Sequence, residues 1–434
     1  MKYFSLNHNS VPTDFPTAVR SGLAPDRGLY FPESIPAIPS GVIDTLDQQD
    51  PLELCFLAIA PFVGGSIPDE TLRKIIVETL DFAFPITPIT NNIGSLELFH
   101  GPTLAFKDVG ARFMARCLGY FNSQKKEKLT VLVATSGDTG GAVADGFLGV
   151  DGIDVVILYP KGKVSTIQEK QLTTLGQNVV ALEVDGVFDD CQDMVKTAFL
   201  DQQIKDVRPL TSANSINIAR WLPQMFYYIL AVRSLIGQQK KIVFSVPSGN
   251  FGNLCAGMMA QQMGFPIHHF VASNNRNKAV VNYLDSGVYE PKPTIQTLSN
   301  AMDVGAPSNF IRIQKIMNND LIKLRKLLTG FSYTDDETKK AIKELFDDHN
   351  YMADPHGAVG YLGLKDYLAQ EQDDQYGVFL ETAHPVKFLD VVEDTLKTTV
   401  PVPERIAALM EKEKQSVPIQ NYEELKAYLL SSGT

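Results

Sequence analysis

Apolar runs of β type recur through the middle of the chain, at Leu129–Ala134, Ile153–Tyr159, Val179–Val184, Ile242–Pro247 and Phe270–Ser273. Helical stretches at Ser165–Leu175, Asp190–Leu200 and Ile216–Leu235 lie between them. A near-continuous apolar run marks a strand covered on both faces, and strands alternating with helices build parallel sheets. This rhythm restricts the fold more than any other feature. Parallel strands require helical crossovers, and ligands then gather beyond the carboxyl ends of the strands.

Two of these strand ends carry loops suited to anions. Thr135-Ser136-Gly137-Asp138-Thr139-Gly140-Gly141 follows the first run and leads into Ala142–Phe147, which reads as a helix start. Ser248-Gly249-Asn250-Phe251-Gly252-Asn253 follows Ile242–Pro247 and leads into Leu254–Met259. Strand, small polar loop and helix N-terminus together present backbone N–H groups and a positive dipole end. Neither loop has the glycine spacing of a dinucleotide site or the Gly-Lys-Ser/Thr of a P-loop. A further strand, Gly377–Thr382, delivers Thr382 at its end.

The third feature is a lysine. Lys107 follows Leu104-Ala105-Phe106 and precedes Asp108 and Arg112, just after the turn signal Gly101-Pro102. Most lysines are solvated, with the stem along apolar neighbours. A desolvated lysine instead has a lowered pKa and can act as a Schiff-base nucleophile. Two anion-ready loops with one sheltered lysine point to a phosphorylated carbonyl cofactor, pyridoxal 5′-phosphate first among them.

Phe99-His-Gly-Pro-Thr-Leu-Ala-Phe-Lys107-Asp108, Thr135-Ser-Gly-Asp-Thr-Gly140 and Pro247-Ser-Gly-Asn-Phe-Gly-Asn253 resemble the threonine synthase family, a branch of the fold-type II pyridoxal-phosphate enzymes. Asp26-Arg-Gly-Leu-Tyr-Phe-Pro32 and Glu381-Thr-Ala-His-Pro-Val-Lys-Phe388 also match, so the similarity spans nearly the whole chain. The resemblance implies an α/β, fold-type II architecture: two parallel-sheet-containing domains with helices on both faces and an N-terminal helical extension. The expected division is an N-terminal layer at 1–97, a smaller α/β domain at 98–240 with Lys107 at its edge, and a large α/β domain with C-terminal helices at 241–434.

The resemblance also implies an activity, conversion of O-phospho-L-homoserine and water to L-threonine and phosphate, and it implies roles. Lys107 would hold the cofactor as a Schiff base and then shuttle protons. Gly249, Asn250, Phe251, Gly252 and Asn253 would hold its 5′-phosphate. Thr382 would face the pyridine nitrogen. Asp138 would lie near the 3′-oxygen, where several relatives carry Asn; an anion beside a phenolate repels it unless a proton is shared. Thr135, Ser136, Thr139, Ser165, Asn217 and Arg220 are candidates for binding the substrate. Against these stand plainer readings: Ser165 as a helix N-cap, Arg220 as a solvated charge, Thr382 as a strand threonine. Arg276 and Lys278 are weaker candidates, and His384-Pro385 fixes the loop behind Thr382. The rival functions are another fold-type II eliminase or β-replacement enzyme, and a catalytically silent cofactor-binding relative.

Composition closes other routes. The chain has 434 residues, 44% hydrophobic and 21% charged, with a net charge of −11. An acidic chain without a basic stripe disfavours nucleic acid as a partner. The four cysteines are far apart, which suits reduced, buried thiols in a cytoplasmic protein better than a disulfide framework or a zinc site. His268-His269 opens an apolar run and reads as structural, so no metal site is expected. No apolar run of membrane-spanning length and no secretory leader is read. A soluble monomer or homodimer acting on a small molecule is the expectation.

Overall fold

A computed structural model describes residues 1–125, 128–371 and 374–431. Two sheets organise it. The larger has six strands, in the order Leu328–Ser332, His269–Asn274, Lys241–Pro247, Gln375–Glu381, Ile93–Glu97 and Ile86–Pro88. Its pairs are parallel apart from the last. The smaller has five parallel strands, in the order Val417–Ile419, Val179–Val184, Ile153–Pro160, Leu129–Ala134 and Leu210–Thr211. Tyr3–Ser5 and Tyr30–Pro32 form a separate antiparallel ribbon. In Leu129–Ala134, His269–Asn274 and Gln375–Glu381 every residue is buried, which is why these runs show no alternation in sequence.

Helix boundaries follow local chemistry. Asp50 caps Pro51–Val63 by accepting from the N–H groups of Leu52 and Glu53. Thr334 and Glu337 form the capping box that opens Asp335–His349. The expected single helix over Ile216–Leu235 is instead broken into Ile218–Trp221, a 3₁₀ turn at Leu222–Gln224 and Met225–Leu235. Pro223 lies in that turn; its ring lacks an N–H and crowds the preceding helical turn. The region after Pro291, expected to be mainly helical, also supplies the edge strand Leu328–Ser332. Sheet membership crosses the boundaries drawn at 97 and 240. Ile93–Glu97 belongs to the six-stranded sheet, and Val417–Ile419, near the C-terminus, adds an edge to the five-stranded one.

The helix Pro355–Gln370 lies on the six-stranded sheet through glycines three residues apart. A Cβ at Gly357 would meet the Glu381 carboxyl, at Gly360 Pro247 and Phe379, and at Gly363 the Ser273 hydroxyl. These glycine contacts fall toward the carboxyl-terminal half of the strands, while Gly377, nearer the other end, makes room for Leu364 of the same helix. Asp354 caps this helix, accepting from His356 N–H at 2.5 Å, and also accepts from Ala383 N–H at 3.2 Å, just past the strand Gln375–Glu381.

No helix among the described residues is long and apolar enough to cross a membrane. All four cysteines are free and buried. His269 bonds Thr329 at 2.9 Å and stacks on Tyr367, a structural placement.

Arg312 ties the N-terminal layer to the body of the chain. Fully buried, its guanidinium donates to the carbonyls of Tyr30, Ser215 and Ile216 and to the Asn309 amide oxygen, and it lies 4.9 Å from the Trp221 ring. Asn309 in turn donates to the Asn250 carbonyl at 3.1 Å. Replacing Arg312 by Met would leave these acceptors buried and unpaired, each costing about 1–3 kcal/mol. The expected result is a loss of at least ~3 kcal/mol in urea unfolding.

Candidate active site

The stretch before Lys107 is fixed from across the chain. Leu98 N–H donates to the Glu381 carbonyl at 3.0 Å, Phe106 N–H to the Thr382 carbonyl at 2.9 Å, and His384 N–H to the Leu104 carbonyl at 3.1 Å. Leu104 is held at φ 62°, an unfavourable region for a leucine, and this sharp turn sets Lys107 at the start of the helix Lys107–Lys125. Asp108 locks the turn by accepting from Thr103 N–H at 2.9 Å and from the Thr103 hydroxyl. Burial lifts the Asp108 carboxyl to about 6.

Strand register brings the second element alongside. Lys241–Pro247 and Gln375–Glu381 pair in parallel, with Phe379 opposite Ser245, so their carboxyl ends, Ser248–Asn253 and Thr382, emerge side by side. The side chains of the 248–253 loop are engaged in holding its shape. Asn250 donates to the Ser215 hydroxyl at 2.8 Å and accepts from Ser308 N–H at 2.5 Å. Asn253 donates to the Pro247 carbonyl at 3.0 Å. Phe251 is buried at φ 62°, and a Cβ on Gly249 would fall 2.8 Å from the Ala301 carbonyl oxygen. Among the described residues, the N–H groups of Gly249 to Asn253 have no acceptor in the protein, and the helix Gly252–Gln262 begins there. These are the donors an anion requires.

The third element is the loop at the end of Leu129–Ala134. Thr135 turns its hydroxyl inward, accepting from Gly137 N–H at 3.0 Å and Gly140 N–H at 2.8 Å. Asp138 then opens the helix Asp138–Phe147. Its Oδ1 accepts from Gln168 at 3.0 Å and lies 2.7 Å from Lys387 Nζ, while its Oδ2 lies 4.0 Å from Lys107 Nζ. Lys387 also donates to the Thr103 carbonyl at 2.9 Å and is fully buried. Burial alone would raise the Asp138 carboxyl, but Lys387 and then Lys107 hold it well below the usual range. For Lys107, burial is the largest cause of a pKa lowered from 10.5 to about 8; Asp138 opposes it, and the cations of Lys387 and Arg220 add to it.

The substrate candidates fall into two groups. Ser136 and Thr139 are half-buried on the Asp138 loop. Arg220 is buried nearby, with one guanidinium nitrogen on the Ala213 carbonyl and its Nε without a partner. The plainer reading of Arg220 as a solvated surface charge does not hold, since its side chain is buried. Ser165 is the N-cap of Thr166–Thr173, in a capping box with Gln168. The Asn217 amide is engaged with the Val19 and Ser212 carbonyls and Ala219 N–H. Thr135, Ser165 and Asn217 thus use their polar atoms to shape the walls. Thr382 is buried at the end of Gln375–Glu381. Sequence reasoning missed Lys387 and Gln168. For Lys387 a signal existed, since Val386-Lys387-Phe388 places a lysine between apolar neighbours as at Lys107.

The residues present fit pyridoxal phosphate: free N–H groups at a helix start for a phosphate, an accessible amine for an aldehyde, and an unpartnered Arg220 Nε for a second anion. In the full-length chain without cofactor, trace acetylation of Lys107 should titrate near pH 8. Roughly a tenth of the amine would then be neutral at pH 7, some hundreds of times more than for an ordinary lysine. Peptide mass spectrometry across pH 6–11 reads this; a midpoint above pH 10 contradicts it.

Comparison with known proteins agrees with this architecture. The family described as pyridoxal-phosphate dependent enzyme matches residues 95–380, threonine synthase N terminus matches 2–80, and threonine synthase C-terminal matches 357–429. A threonine synthase of Haemophilus influenzae is 43% identical over 434 residues, covering 100% of both chains. The crystal structure of threonine synthase from Escherichia coli superposes with a TM-score of 0.92 at 39% identity, covering 100% of each chain. The pyridoxal-phosphate-bound threonine synthase from Brucella melitensis superposes with a TM-score of 0.94 at 34% identity, covering 100% of this chain and 99% of that one. With three consecutive family segments and full-length relatives in agreement, the chain belongs to the threonine synthase family of pyridoxal-phosphate-dependent enzymes.

Proposed function

We propose that this chain converts O-phospho-L-homoserine and water to L-threonine and inorganic phosphate, with Lys107 as the cofactor-bearing and proton-moving residue. The observation that carries the reading is the grouping of a sheltered amine, Lys107, with two helix starts, those of Gly252–Gln262 and Asp138–Phe147. When bound, pyridoxal phosphate supplies an electron sink that acidifies first the α and then the β C–H bond of an amino acid.

The protein's own groups do the rest. N–H groups of Gly249, Asn250, Phe251, Gly252 and Asn253 hold the cofactor phosphate, reinforced by the helix dipole. Lys107 would hold the cofactor's aldehyde, and its amine would take protons from the α and β carbons and return them to the α and γ carbons. Thr382 offers the pyridine nitrogen a hydroxyl, which does not protonate it as a carboxylate would. Asp138 lies beside the reacting amine with its charge balanced by Lys387. Ser136 and Thr139 present hydroxyls and backbone to the substrate carboxylate, while Arg220, with a free Nε, binds the substrate phosphate. Thr135, Ser165 and Asn217 act on the substrate through the loops they brace. Phosphate would leave from the γ carbon, that carbon would take up a proton to become the methyl group, and water would add at the β carbon.

Four free, buried cysteines support a cytoplasmic setting, and a monomer or homodimer is the expected assembly.

Incubated with pyridoxal phosphate and O-phospho-L-homoserine, the purified chain should release phosphate and threonine in equal amounts. Release of a 2-oxo acid and ammonia as the main products would point instead to a dehydratase. Lys107→Ala should remove the visible absorbance of lysine-bound cofactor and lower turnover by at least about 10³-fold. Persistence of that absorbance in the variant contradicts the assignment.

A further inference from the structure

We propose that Lys387 is a positioning residue for the Lys107 amine: by holding Asp138 through its other carboxylate oxygen, it prevents a close, buried Lys107–Asp138 ion pair from locking the amine as ammonium. The proposal rests on Lys107 being the reactive amine, but it concerns the amine and not the reaction.

The geometry is asymmetric. Asp138 Oδ1 takes Lys387 Nζ at 2.7 Å and Gln168 Nε2 at 3.0 Å, whereas Oδ2 stands 4.0 Å from Lys107 Nζ, beyond hydrogen-bond distance. Lys387 is itself fixed by the Thr103 carbonyl at 2.9 Å, in the turn that also anchors Asp108. Both partners of the shorter pair are buried, with side chains 0% and 4% exposed; Lys107 retains 17%. A buried carboxylate attracts any neighbouring cation strongly, because little water screens it. Without Lys387, the lone cation beside Asp138 would be Lys107. The most stable state would then be an ammonium on a carboxylate, which cannot attack an aldehyde.

The charged groups around Lys107 come from every wall. Asp138 lies on one helix start, Lys387 on the segment after Thr382, and Arg220 on the short helix Ile218–Trp221. Asp108, the next residue, is turned to Thr103. His384 also feels the Lys387 charge, but burial is the main cause holding its pKa down, at about 4, so it is neutral at physiological pH. Asp138 is thus the anion opposing amine deprotonation, and Lys387 its closest counter-charge.

A purely structural ion pair would also destabilise the fold when broken, so stability does not distinguish the two roles. The sign of the Lys107 titration does. The test uses the full-length chain freed of cofactor, with trace acetic anhydride and mass-spectrometric quantification of the residue 107 peptide across pH 6–11. Lys387→Gln keeps hydrogen-bonding groups but removes the charge. It should raise the Lys107 midpoint by about one pH unit or more, a tenfold loss of neutral amine at pH 7. Lys387→Arg keeps the cation and should leave the midpoint within about half a unit. Asp138→Asn should lower it, and the double variant Lys387→Gln/Asp138→Asn should bring the midpoint back to or below the wild-type value.

The double variant places two neutral amides where the ion pair stood, so it remains readable if Lys387→Gln alone, with its uncompensated anion, folds poorly. In that event a double-variant midpoint at or below the wild-type value supports the proposal, and one above it overturns it. A wild-type midpoint in Lys387→Gln, or a rise that Asp138→Asn does not reverse, also overturns it. Failure of the proposed reaction would show separately, as a catalytic defect with the same titration order intact.

Discussion

The architecture depends on a few backbone hydrogen bonds that join residues about 280 positions apart. Leu98 and Phe106 donate to the carbonyls of Glu381 and Thr382, and His384 donates back to Leu104. The first continues the parallel pairing of Ile93–Glu97 with Gln375–Glu381, and the other two form an antiparallel bridge between Ala105 and Ala383. They hold the unfavourable backbone of Leu104 in place and thereby aim the helix start that carries Lys107. The same strand, Gln375–Glu381, pairs on its other side with Lys241–Pro247, which carries the 248–253 loop. One central strand therefore sets the relative position of the amine, the anion loop and Thr382, and the glycine face of Pro355–Gln370 presses against its buried end.

The electrostatics answer a difficulty raised by the proposed place of Asp138 beside an electron-rich cofactor. Asp138 is not an uncompensated anion. Lys387 pairs with its Oδ1, and the buried setting makes that interaction strong enough to keep the carboxylate ionised. Two lysines and one aspartate in little water form a net-positive cluster within an acidic protein, whose charge overall is −11. Local positive charge at an anion site and negative charge elsewhere are compatible, because salt screens distant surface charges while the buried ones interact almost unscreened.

Much was legible in local sequence. The buried strands announced themselves as apolar runs, the capping box at Thr334 fixed a helix start, and both Gly-rich loops lay where strand-loop-helix patterning put them. The break at Pro223 was visible as a proline, yet the apolar run around it, buried on almost every side, read as one helix. The strands Leu328–Ser332 and Val417–Ile419 were not legible. Each is a short edge strand whose partners are supplied by remote segments, so little in its own residues distinguishes it. Ser165 and Asn217 show a similar limit: their residue types suit both a cap and a ligand, and only the position of nearby N–H groups decided how their polar atoms are used.

The sequence by itself determined the classes of element, the small polar loops that open helices beyond strand ends, the lysine sheltered among apolar neighbours, and through its motifs the family. Those properties are written in residue type and spacing over a dozen positions or fewer. Tertiary structure alone decided that Lys387, 280 positions from Lys107, stands against Asp138, and that Arg220 is buried with a free donor. Charge interactions depend on distance and on the exclusion of water, and neither exists until the two sheets are assembled.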